Sequence, residues 1–102
     1  MSTYLDEKAI RTELADPRMR EWRQEGGSLV REFEAMDFAT AVRVVDRVVP
    51  ETARLHRQPE IDIRGPLLRF AVRPADGGGL TAEDLELGHR IEYAIGTRSG
   101  ME

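Results

Sequence analysis

Two imidazoles, His56 and His89, are the only side chains in this sequence that ordinarily change charge between pH 5 and 8. The first lies in "ETARLHRQPEID", residues 51–62, where His56, Arg57 and Gln58 run into Pro59. A histidine there could exchange protons as a general acid or base. It could equally close a helix, held by the negative end of the helix dipole. The helix-end reading asks for less and is the one adopted. His89 falls one position off the apolar face of a helical pattern, so it is expected to be exposed. The two histidines have no metal-ligand spacing, and no metal site is expected. Cysteine is absent, which removes thiolate nucleophiles, disulfides and zinc–cysteine sites.

Other candidates are polar rather than titrating. Asp76, followed by three glycines in "ADGGGL", could cradle an anion through backbone amides; a loop is the commoner meaning of such a stretch. No strand–glycine–helix unit with dinucleotide-binding spacing is present. Arg54, Arg57 and Arg64 surround the same corner, and Arg64, Arg69 and Arg73 fall close together. They could face an acidic protein surface or form a solvated rim. The net charge is −4, from 15 Lys and Arg against 19 Asp and Glu. The signs are mixed rather than blocked, so nucleic acid is not the expected partner. No apolar run approaches the roughly 20 residues of a membrane span. The opening "MSTYLDEKAI" lacks a basic head followed by an apolar core, and a cytoplasmic location is the expectation.

The elements that must carry these residues follow from period and punctuation. "TYLDEKAIRTELADP" reads as a short helix with Leu5, Ala9, Ile10 and Leu14 in one stripe and Pro17 as its stop. Gly26-Gly27 marks a turn between two strands, the first started by an inward Trp22. In the second, Leu29, Arg31, Phe33 and Ala35 share a face. "DFATAVRVVDRVVPETARLH" is the longest helical stretch, capped by Asp37, with Phe38, Ala41, Val42, Val45, Val48 and Val49 as its apolar face. Pro50 inside it should kink the helix, or end and restart it. "PEIDIRGPLLRFAVRP" gives two strands around Gly65-Pro66. "LTAEDLELGHRIEYAI" is a closing helix with Thr81 as N-cap, Asp84 in a near capping box, and Leu85, Gly88, Ile91 and Ile95 on one face. The order predicts an α+β domain, a four-stranded antiparallel sheet with the helices on one face. The 102 residues suit a single domain, with 96–102 as a fraying tail. Open edge strands in such a sheet invite dimerisation.

This order resembles the pterin-4a-carbinolamine dehydratase family over residues 20 to 95. The resemblance rests on Trp22 with "LVREFEAMDFATAVRVV", on "RQPEI", and above all on "GGLTAEDLELGHRIE". It implies the same sheet and helices in a dimer or dimer of dimers. The family removes water from a 4a-hydroxy-tetrahydropterin, with paired histidines before the proline and a third histidine before an acid in the loop ahead of "GGLT". Here those three positions read Arg57, Gln58 and Ala75, while Pro59 and the acid Asp76 survive. A guanidinium, an amide and a methyl cannot replace groups each contributing roughly 10²- to 10⁴-fold. The resemblance thus implies the fold without catalytic residues and without a cofactor. His56, Arg57, Gln58, Pro59 and Asp76 would be what is left of the pocket, and Arg54, Arg64, Arg69 and Arg73 a partner surface. Family members also serve as a dimerisation cofactor for a transcription factor, and a bacterial branch linked to carboxysome gene clusters assists assembly of Rubisco. The resemblance therefore implies a dimeric protein-binding or assembly factor of that kind. Two alternatives stand beside it: a weak dehydratase using His56, and a small-ligand binder with Arg57 and Gln58 as donors.

Overall fold

A computed structural model describes residues 4–75 and 77–100, the last four as backbone. Helix α1 spans Glu7–Leu14. Asp6 caps it by accepting a hydrogen bond from the Ala9 amide at 2.8 Å. A 3₁₀ turn, Pro17–Met19, follows, capped in the same manner by Asp16 on Arg18 N at 2.9 Å. Strands β1 (Trp22–Glu25) and β2 (Ser28–Glu34) form a hairpin. Its turn residues Gly26 and Gly27 have φ of +54° and +85°. Two successive positive φ values suit the right-handed twist of the strands, and glycine adopts them without strain. Helix α2 (Phe38–Leu55), strands β3 (Glu60–Arg64) and β4 (Leu67–Val72) and helix α3 (Ala82–Gly100) complete the chain. Helical backbone in α3 continues to Gly100, into the stretch expected to fray.

The sheet order is β1-β2-β4-β3, with every pair antiparallel. Register sorts the two faces. Trp22, Arg31, Phe70 and Ile61 stand in one row, and Leu29 lies opposite Val72 on the same face. That face meets the helices. Leu29, Leu68, Phe70 and Val72 are fully buried there with Ala41, Val44 and Val48 of α2 and Leu87 and Ile91 of α3. The other face carries the charges, linked as Arg23–Glu25 (2.8 Å), Arg69–Glu25 (2.6 Å) and Arg73–Glu60 (2.9 Å).

For α2, the end-and-restart alternative at Pro50 and the expected core face are corrected. The helix neither ends nor restarts at Pro50; it runs unbroken from Phe38 to Leu55 with the proline on its exposed side. Its core face is also rotated from the expected one. Ala41, Val44, Val48 and Thr52 are buried, whereas Phe38 is 57% and Val49 55% exposed. Valines occupy 42, 44, 45, 48 and 49. The apolar arc is therefore wider than the core beneath it, and the pattern alone cannot say which part faces inward.

Candidate functional site

The corner before β3 is built by how α2 ends. His56 takes the left-handed conformation, φ 53° and ψ 35°. Its amide donates to Ala53 O and the Arg57 amide donates to Thr52 O, each at 3.3 Å. These bonds satisfy helix-end carbonyls and reverse the chain. His56 is exposed, and its position is the helix-closing one. Gln58 is exposed too, while Pro59 is half-buried and leads into β3.

The reversal aims Arg57 inward. Its Nη2 donates to Asp84 Oδ1 at 2.5 Å and to the backbone carbonyl of Arg73 at 3.1 Å. The Asp84 side chain is fully buried and that of Arg57 is 17% exposed. Asp84 also closes the capping box of α3, since Oδ2 accepts from the amide of Thr81, the residue before the helix, at 2.8 Å and from Thr81 Oγ1 at 3.3 Å. One carboxylate thus ends a helix with one oxygen and takes a guanidinium with the other. The corner, the end of β4 and the start of α3 are pinned together. The residues at this corner offer no titrating pair. They offer a permanent cation on a buried anion, which is a brace rather than a proton relay.

Beside the brace lies a cleft of about 560 Å³. Gly26-Gly27, Glu60, Arg73 and Gly77–Gly79 border it, whereas His56, Arg57, Gln58 and Pro59 do not. Ala75 lies in a turn ahead of it. Asp76 lies outside the described residues. Arg73 and Arg69 are already held by Glu60 and Glu25. Arg64 lies 4.0 Å from Asp62, and Arg54 is exposed on the last turn of α2.

His89 is half-buried, not exposed. Its Nε2 lies 3.5 Å from Glu13 Oε1 near the end of α1, and the 3₁₀ turn that follows α1 packs against α3. A second internal site escaped the sequence reading. Glu92 Oε1 accepts from Trp22 Nε1 at 2.9 Å and from Arg31 Nε at 2.8 Å, while Arg31 Nη1 donates to Glu32 O at 2.6 Å. The available signal was Arg31 itself, set between Leu29 and Phe33 on the covered face of β2, where a cation needs a partner. Among the described residues, no buried side-chain polar atom is left without one.

Known proteins frame this geometry. The profile of the family described as "Pterin 4 alpha carbinolamine dehydratase" matches residues 3–94. A relative from Nocardia farcinica, named "Putative pterin-4-alpha-carbinolamine dehydratase", is 33% identical over 88 residues, covering 86% of this chain and 90% of its own. A relative of the same name from Acidobacterium capsulatum is 33% identical over 91 residues, covering 89% and 97%. Among solved structures, a transcriptional coactivator/pterin dehydratase from Brucella melitensis superposes with a TM-score of 0.79 at 18% identity, over 90% of this chain and 98% of that one. A pterin dehydratase-like protein identified as a RuBisCO assembly factor in the alpha-carboxysome superposes with a TM-score of 0.65 at 16% identity, over 78% and 94%. At such identities the two superpositions speak to the fold alone.

Proposed function

The chain belongs to the pterin-4a-carbinolamine dehydratase family, and from that premise we propose that it keeps the family's scaffold without its proton chemistry and acts as a dimeric protein-binding or assembly factor. The observation that carries this reading is the brace. The guanidinium at position 57 is spent on Asp84 and on a backbone carbonyl, and Gln58 beside it does not titrate. Neither can protonate a leaving hydroxyl or take an N5 proton. An uncovered apolar flank on α2, with Phe38 and Val49 exposed and Met36 80% exposed just before it, supports a protein partner over a small molecule. Exposed Arg54 and Arg64 would serve as its charged margin. The assembly-factor neighbour makes Rubisco subunits the first partner to try. A cytoplasmic, single-domain protein without cofactor is part of the same proposal; no helix among the described residues is long and apolar enough to cross a membrane.

The curated relatives' name favours a second reading, a weak dehydratase in which His56 is the base. Against it stands the exposed, helix-closing position of His56, away from the cleft. A dehydration assay on 4a-hydroxy-tetrahydropterin separates the two, with His56→Ala run alongside. The expected result is no rate above the uncatalysed reaction. A rate that His56→Ala abolishes overturns the proposal and makes the protein an enzyme. Thermal-shift titration with pterins tests the ligand-binder reading, and a stabilisation that grows with ligand would support it. Capture of purified Rubisco subunits on immobilised protein tests the partner; no retention above a bare matrix removes Rubisco from the reading.

A further inference from the structure

We infer that the groove between the 3₁₀ turn and helix α3 is a binding site for a free α-amino acid with a bulky apolar side chain. The groove encloses about 690 Å³, more than the cleft beside the brace, and lies within the size range of small-ligand sites. It is separate from the assembly role proposed above. Two glycines of α3 shape it. At Gly88 a Cβ atom would come within 3.1 Å of Met19 Cε, so the missing side chain lets the turn seat closely, with Met19 fully buried. At Gly96 a Cβ atom would meet nothing within 4 Å, and the helix stands clear of the turn. Pro17 and the ring of Tyr93, which is 64% exposed, line the space between.

The charges around the groove decide what fits it. Most are already paired within the chain. Arg18 is held by Asp16 at 2.7 Å, Glu92 by Trp22 at 2.9 Å and Arg31 at 2.8 Å, and His89 lies 3.5 Å from Glu13. Two remain. Arg20 and Glu21 are exposed and both border the groove, and neither side chain has a hydrogen-bond or ion-pair partner among the described residues. A simple anion would gain Arg20 but meet Glu21, and a simple cation would do the reverse. A peptide terminus supplies one of the two charges only. A free α-amino acid carries both on neighbouring atoms, its carboxylate for the guanidinium and its ammonium for the glutamate. Its side chain then falls on the apolar surface of Pro17 and Tyr93.

Amide NMR on the full chain, titrated with L-leucine or L-phenylalanine to about 10 mM, tests the site. Saturable shifts centred on residues 17–21 and 89–96 are the expected result. Glycine lacks the apolar part, N-acetyl-L-leucine the cation and L-leucinamide the anion, and each should bind about fivefold more weakly than L-leucine. Arg20→Ala and Glu21→Ala should each weaken L-leucine by a similar factor, and Tyr93→Ala should weaken L-phenylalanine. All three side chains are exposed, and circular dichroism checks that each variant folds. No saturable shift over that range overturns the site, and so do shifts that map to the cleft beside the brace. Arg20 and Glu21 variants that bind like the wild type overturn the charge assignment. N-acetyl-L-leucine or L-leucinamide binding as well as L-leucine overturns the free amino acid in favour of a peptide terminus.

Discussion

At the scale of single residues, His56 is held in a conformation that glycine prefers, since a side chain there crowds the following carbonyl. His56→Gly is expected to raise stability by about 1 kcal/mol in urea unfolding. Arg57→Ala acts in the opposite direction. It leaves the buried Asp84 carboxylate without its counter-charge, and a loss of about 3–5 kcal/mol is expected in the same measurement. Asp16 supplies a pH signature. The Arg18 side chain and amide, both hydrogen-bonded to it, hold its pKa down to about 2. Its folded-state value is depressed, so its contribution to stability is full above the unfolded value near 3.9 and is lost as pH falls toward 2. Asp16→Asn should flatten that part of the profile, seen in thermal melts between about pH 2 and pH 5. What was legible at this scale was the helix-end role of His56, because proline three residues on and the preceding helical period define the end. The brace was not legible. Nothing in "HRQP" tells that the arginine turns inward to an aspartate 27 positions away.

Elements were read well where glycine or a cap fixes them. Gly26-Gly27 and Gly65-Pro66 each force a tight reversal between alternating runs, and Asp37 and Thr81 mark helix starts, so both hairpins and the later helices could be placed from pattern. The inward face of α2 could not, because β-branched residues cover more than half a turn of its surface. Of the two outcomes open at its proline, the break fails for a related reason: propensity argues for one, but burial of Val44 and Val48 before it and Thr52 after it holds the helix together. The missing amide still leaves the Asp46 carbonyl without its helical donor. Pro50→Ala is therefore expected to stabilise the chain by on the order of 1–3 kcal/mol, read as a shift in urea midpoint with unchanged slope.

Across the whole molecule, one ion pair spans elements that sequence analysis treats separately. Arg31 of β2 and Trp22 of β1 converge on Glu92 of α3, 61 and 70 positions away, and Arg31 also lies 5.8 Å from the centre of the Phe33 ring. The hairpin is tied to the last helix by this pair as the β3 corner is tied to it by Asp84. Glu92→Ala should cost about 3–5 kcal/mol, because a cation 10% exposed loses its carboxylate and an indole loses its acceptor. Unfolding followed by Trp22 fluorescence checks this directly. Such long-range pairs were hidden because each partner reads locally as an ordinary polar residue on a strand or helix.

The brace at position 57 has one further consequence. A guanidinium keeps its charge at every pH a cell visits, so the corner stays shut whether its surroundings are acidic or neutral. An imidazole in that place would grip Asp84 fully only when protonated, and the corner would loosen as pH rose through its titration range. The residue chosen at 57 thus decides whether this joint is a sensor or a fixture, and arginine makes it a fixture.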